Sequence, residues 1–247
     1  MKIKYLIMIA GVGGTGGNFA KEFCRYISCL PNEKKNNISI VFVDGDIVEE
    51  KNISRQPFIS QDINLGKAAV LADAVNDNFE LNVSYVDTYL DSVEDISIIF
   101  DTMRPKYAYN CKIIPIIVGC VDNHRCRQLF HEYFNQESTC VYIDSANEYS
   151  VGEVVSGTKL DGKILSHPRA FYYPEVLHDT SPSKKEESCG TVNESSPQHI
   201  VTNMLAANIL LSEVVKLISD DILPQGIVYF DAFKNFAKKR CDSNEIY

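Results

Sequence analysis

The 247-residue chain carries 24 basic against 33 acidic side chains, a formal charge of −9, with 45% hydrophobic and 23% charged residues. That composition excludes general disorder and fibrous repeats, and the acidic balance speaks against nucleic acid as a partner. Its apolar runs fall short of the roughly 20 residues a membrane span needs, and Met-Lys-Ile-Lys leads into a strand with no cleavage site behind it. A soluble, cytoplasmic protein with no membrane contact is therefore expected.

Strand-like runs occur at 5–10, 38–43, 81–86, 113–121 and 139–144, with helical periodicity at about 16–30, 65–79, 91–104 and 123–135 between them. Continuous apolar strands alternating with helices predict a Rossmann-like, doubly wound α/β fold with a mainly parallel sheet covered on both faces. Pro115 points to an irregular or edge strand in the fourth run, because proline cannot donate to a ladder. Beyond 145 the pattern changes to antiparallel strands across 151–165, turning at Asp161-Gly162, a strong hairpin signal. The segment 166–196 is polar, proline-containing and aperiodic, and its length marks it as a mobile, substrate-gripping loop. A long helix at 198–219 and a last strand at 226–233 complete the chain. The basic run "AKKR" at 237–240 reads as a solvated edge. One domain is expected, with a nucleotide-binding half at 1–145 and an antiparallel half at 146–247.

Eight cysteines, at 24, 29, 111, 120, 126, 140, 189 and 241, include no Cys-x-x-Cys pair, so no structural zinc is expected and most read as core residues in a reducing compartment. The five histidines, at 124, 131, 167, 178 and 199, show no metal-ligand spacing and read as structural or solvated.

Chemistry concentrates where the first strand breaks into glycine. Gly11, Gly13 and Gly16 fit G-x-G-x-x-G between a strand and a helix, where the backbone can approach phosphates and helix amides attract their charge. No Lys-Ser/Thr follows, which rules out a Walker-type loop. Asp44 ends the next strand, suitably placed for a ribose hydroxyl. These features fit ATP, nicotinamide or flavin alike. The following segment, "DGDIVEEKNISRQ" at 44–56, adds Asp46, Asn52, Arg55 and Gln56 at the ligand-binding end of the sheet, more than a dinucleotide enzyme needs.

At these residues the sequence resembles the ThiF/MoeB/ubiquitin-activating (HesA/MoeB/ThiF) superfamily. Its motif series reads here as Gly11-Val12-Gly13-Gly14-Thr15-Gly16, Asp44-Gly45-Asp46-Ile47-Val48, Asn52-Ile53-Ser54-Arg55-Gln56, "DINLGK" ending at Lys67, and Asp122-Asn123 continuing to Arg127. The resemblance implies that Asp44 binds the ribose, that Asn52, Arg55, Gln56 and Lys67 contact ATP phosphates, and that Asp122 positions Mg2+. Without it, Asp122 reads as a helix cap. Cys189, before the long helix, matches a cysteine that in relatives takes the activated acyl group or forms a sulfur link; an idle loop thiol is the alternative.

The implied reaction is ATP- and Mg2+-dependent adenylation of the C-terminal carboxylate of a ubiquitin-like protein or peptide. Rival readings are activation of a small-molecule or tRNA-linked carboxylate, a nucleotide-binding scaffold without catalysis, and, more distantly, a nicotinamide oxidoreductase. Two departures from the superfamily matter. Asn64 replaces its glycine, a change that asparagine's tolerance of positive φ permits. The Arg-Tyr-x-Arg-Gln segment that usually precedes the first strand is missing, as are the paired zinc cysteines, which leaves a homodimer with shared sites open. In this stripped-down form the chain is similar to short ThiF-like proteins of bacterial mobile elements, including the PRTRC group.

Overall fold

The computed structural model describes residues 2–105, 111–180 and 198–241. The elements in order are β1 (Lys2–Ala10), α1 (Gly14–Ser28), α2 (Asn32–Lys35), β2 (Ile38–Val43), α3 (Lys67–Phe79), β3 (Ser84–Val86), α4 (Val93–Met103), β4 (Cys111–Gly119), α5 (His124–Gln136) and β5 (Cys140–Asn147). They continue as β6 (Val151–Leu160), β7 (Lys163–Ser166), α6 (Arg169–Tyr172), α7 (Ile200–Asp220), β8 (Gly226–Asp231) and β9 (Phe236–Arg240).

One mixed sheet runs β3-β2-β1-β4-β5-β6-β8-β9, with β7 paired to β6. The pairs from β3 to β5 are parallel, as their apolar runs require. From β5 onward the pairing is antiparallel. The expected mainly parallel, doubly wound sheet with an antiparallel extension is thus present. On one face Phe19 and Phe23 of α1, Leu71 and Val75 of α3 and Leu210 and Val214 of α7 pack against the odd-numbered residues of β1, Tyr5, Ile7 and Ile9. On the other, Phe100 of α4 and Phe130 and Tyr133 of α5 cover Leu6 and Met8. This two-sided burial is why β1 alternates between two cores instead of between core and water.

Several expectations need correction. Pro115 lies in a central strand, between β1 and β5. It is tolerated because the ladder to β5 starts one residue later, at Ile116–Val141. The β6–β7 turn does follow Asp161-Gly162, with φ of 49° and 82°, both positive as a type I′ turn demands. The first part of the 166–196 segment, however, is ordered: α6 and the 3₁₀ turn Pro174–His178 bury Val176, and Gln128 Nε2 of α5 donates to the carbonyls of Val176 and Asp179. The remainder of that expected loop lies outside the described residues. The "AKKR" edge forms β9, an exposed strand pairing β8 that periodicity missed because it has no buried face.

At 21 residues, α7 is long and apolar enough by length and composition to cross a membrane, contrary to the expectation that every apolar run falls short. Nine of its residues are buried, including Glu213, held by Lys216 and Lys239. Of the described cysteines, Cys24 and Cys140 are core residues, but Cys29 and Cys241 are exposed, because one caps the end of α1 and the other follows the edge strand.

Candidate active site

Strand order reverses between β1 and β4, and ligands in such sheets bind outside the carboxyl ends of the strands at that switch point. The β1–α1 turn sits there. Gly11 has φ +81°, and a side chain on it would meet the Cys120 carbonyl at 2.7 Å, so only glycine lets the turn lie against the end of β4. Gly13 stands at the N-cap of α1 with no side-chain cap, and the first helical turn carries no acid. The amides of Gly14, Thr15 and Gly16 therefore have no carbonyl within the helix to bond, and the positive end of the dipole is unneutralised.

Asp44, at the end of β2, fixes this turn. Its Oδ2 accepts from the Val12 N–H at 2.8 Å and its Oδ1 from the Asp46 N–H at 2.9 Å. Each carboxylate oxygen keeps a further lone pair for a hydroxyl donor. Burial, and then the neighbouring Asp46 charge, push the Asp44 carboxyl above its ordinary range against the opposing pull of Lys67.

A second layer forms where 46–48 runs beside 64–67: Val48 N–H donates to the Leu65 carbonyl and Lys67 N–H to that of Asp46. Asn64 takes φ 73° there, as its place in the motif requires. This brings the buried Lys67 ammonium within 2.8 Å of Asp46 Oδ2, while the Tyr89 hydroxyl donates to Asp46 Oδ1 at 2.5 Å. Gln56 lies over the glycine turn, 3.5 Å from where a Gly13 side chain would begin, with its Oε1 buried and unpaired. Its neighbour Arg55 is half-buried and forms no ion pair among the described residues. Asn52 is buried and uses its Oδ1 to accept from the Glu49 N–H.

On the β4 side the structure separates roles that the motif groups together. The helix cap is Asn123, whose Oδ1 accepts from the Cys126 N–H at 2.8 Å, and Asp122 is exposed just before it. Capping by Asp122, the reading made without the family motif, is thereby corrected. Arg127 points inward. It and Arg169 both donate to Oδ2 of the fully buried Asp144, Arg169 also pairs with Glu153 at 2.7 Å, and Arg127 donates to the carbonyls of Val121 and Ser145. Burial works to lower the Arg169 pKa, but Asp144 and Glu153 hold it above its usual value. The same burial pushes the Cys126 thiol up to about 12, so it is no nucleophile at neutral pH. His124 Nδ1 stands 2.9 Å from Asp179 without in-line hydrogen-bond geometry, a pair that carries charge only when the ring is protonated.

The site thus gathers Gly11, Gly13, Gly14, Gly16, Asp44, Asp46, Gln56 and Lys67 around the open end of α1, with Asp122 beyond the end of β4. Arg127 supports the sheet instead, and Cys189 lies outside the described residues. Sequence reasoning missed Tyr89, which follows β3 without any motif. It also missed Thr15, Asn147 and Asn203, which meet beneath the α1 turn: Asn147 Nδ2 donates to Asn203 Oδ1 at 2.8 Å, and the Thr15 hydroxyl is 3.1 Å and 3.3 Å from the two amide oxygens.

A sequence model of the ThiF family matches residues 3–245. No curated protein matches the chain. Among solved structures, it is similar to E. coli MccB with ATP at 15% identity and a TM-score of 0.64, covering 97% of this chain and 64% of that one. It is also similar to E. coli MccB with succinimide, at 14% identity and 0.63, covering 96% and 63%. PaaA matches at 15% and 0.63, covering 96% and 64%. The chain therefore spans a little under two-thirds of the length of these proteins, and at such identities the likeness is one of fold.

Proposed function

The chain belongs to the ThiF family, and on that premise we propose that it is an ATP-dependent adenylyltransferase activating the C-terminal carboxylate of a peptide or ubiquitin-like protein. The observation that carries this reading is the open, uncapped end of α1, ringed by Asp44, Lys67 and Gln56 at the switch point of the sheet. Similar folds whose structures hold ATP, or AMPCPP together with MccA, support it.

In this reading Asp44 takes the ribose hydroxyls and the α1 amides take the phosphates, with Asn52, Arg55, Gln56 and Lys67 offsetting their charge. A carboxylate oxygen of the substrate attacks the α-phosphorus, the bond to the bridging oxygen of the β-phosphate breaks, and pyrophosphate leaves with that electron pair. An acyl-adenylate remains. Charge builds on the phosphates in that step, and fixed cations and amides stabilise it without a protein nucleophile. Lys67 must divide its ammonium donors between Asp46 and the nucleotide to do so, since the pair is closed at 2.8 Å. Mg2+ arriving with the nucleotide would supply further neutralisation. No cluster of three metal-ligating side chains exists among the described residues. The single exposed carboxylate of Asp122 fits a cation carried mainly by phosphates and water. Passage of the acyl group to Cys189 would be a later step.

The test is exchange of labelled pyrophosphate into ATP, with and without candidate peptides and ubiquitin-like proteins. Exchange that depends on the partner, and is lost in Arg55→Ala and Asp122→Ala, is the expected result. ATP binding without exchange for any partner would replace the enzyme with a nucleotide-binding scaffold, and no ATP binding would end the reading altogether.

A further inference from the structure

Asn203, the fourth residue of α7, is 1% exposed, and its Nδ2 has no hydrogen-bond partner. In the structure Oδ1 accepts from Asn147 Nδ2 at 2.8 Å and lies 3.3 Å from the Thr15 hydroxyl, which leaves Nδ2 as the unused end of the amide. The main-chain carbonyl of Asn147 accepts from Gln198 Nε2 at 3.0 Å, which anchors the end of β5 beneath α1. The unused Nδ2 donor therefore faces the first residue of α1. A Cβ on Gly14 would collide with it and lie 3.0 Å from Asn203 Cγ.

The Gly14, Thr15 and Gly16 amides, which have no partner within the helix, and the unpaired Asn203 Nδ2 thus lie together at the start of α1. Buried donors are rarely left unused, and such a set, with no acid in the first turn of α1, suits an anion. Position selects which part of the ligand this would be. Asp44 stands on β2, to one side of β1, whereas Asn203 reaches the turn from the β5 and β6 side, where α7 packs. A nucleotide with its ribose at Asp44 and its phosphates on the α1 amides would run from the β2 side toward the side from which Asn203 reaches.

We propose that Asn203 is a phosphate-binding residue of this site, a fourth donor beside the Gly14, Thr15 and Gly16 amides, held in orientation by Thr15 and Asn147. The inference rests on the reading of the α1 turn as a nucleotide site. It names a residue outside every motif that carries that reading.

The experiment is calorimetric titration of the full chain and of Asn203→Leu and Asn203→Asp with ATP, AMP and adenosine, alongside thermal melts. Leucine keeps the volume and removes the donor; aspartate keeps the shape and adds a negative charge. ATP affinity should fall about tenfold in Asn203→Leu, the loss of one hydrogen bond to a charged acceptor, and further in Asn203→Asp, while adenosine affinity stays at the wild-type value. A purely structural role would instead lower the melting temperature and weaken all three ligands alike, overturning the proposal. So would an unchanged ratio of ATP to adenosine affinity in both variants. If the wild-type protein binds none of the three, the nucleotide reading falls and this inference with it; if it binds ATP and the variants match it, only the inference falls.

Discussion

Replacing Asp144 with asparagine removes the one carboxylate that two buried arginines share. Asp144 is 0% exposed, and the side chains of Arg127 and Arg169 are 7% and 5% exposed. In the native protein two guanidinium charges face two carboxylates, Asp144 and the Glu153 that pairs with Arg169 at 2.7 Å. In Asp144→Asn the cluster carries a net positive charge, and Arg127 keeps only the Val121 and Ser145 carbonyls. Breaking a buried pair from one side costs about 3–5 kcal/mol, because the remaining charge stays desolvated. At roughly 2–4 °C per kcal/mol for a chain of this size, the melting temperature should drop by roughly 6–20 °C. Circular dichroism melts and urea titration of wild type and variant measure it. Replacing Arg127, Arg169, Asp144 and Glu153 together by apolar residues should recover most of the loss, since no charge of the cluster is then left to desolvate. A melting temperature for Asp144→Asn within about 2 °C of wild type would refute the reasoning, and would mean that water reaches the arginines.

The Asp44 carboxyl is raised by burial and by Asp46, so the folded chain holds its proton to higher pH than the unfolded chain does. Stability should therefore fall as pH rises from about 4 through that raised value, and level off above it. Asp44→Asn should flatten the profile; urea midpoints that change with pH equally in both proteins would contradict this. Lys67→Met leaves Asp44 and Asp46 without their cation, and should move the same window to higher pH while weakening ATP binding. Gly11→Ala forces a Cβ to 2.7 Å from the Cys120 carbonyl at a φ of +81°, and should cost more than about 1 kcal/mol in chemical denaturation. Alkylation mapped by mass spectrometry should modify Cys29 and Cys241 in the native protein, and Cys24 only after unfolding, since burial lifts its thiol to about 12.

What the sequence made legible follows from what leaves a local pattern. The strand at 38–43 and the helix ending at Phe79 match their elements, because burial on both faces writes a continuous apolar run and burial on one face a 3.6-residue period. β9 leaves neither trace, as all its residues are exposed. The same contrast holds in the site. Gly11, Asp44 and Lys67 stand in motifs whose spacing survives in one dimension. Asn203 and Thr15 lie 188 positions apart, and an asparagine within an otherwise apolar helix announces nothing until α7 is laid on α1. Arg127 shows the reverse: it belongs to a motif, yet its side chain serves the sheet, which only the buried position of Asp144 reveals.

The placement of α7 bears on how the protein is made. β1 needs β2 and β4 on its two sides, so the centre of the sheet can close once residues up to Gly119 have left the ribosome. Phe19 and Phe23 share their core with Leu210 and Val214, which emerge some two hundred residues later. Until α7 has been made, the nascent chain therefore leaves the apolar flank of α1 without its cover. Docking of α7 shields it, and in the same event brings Asn203 beneath the glycine turn, so that the pocket is finished only when α7 is in place.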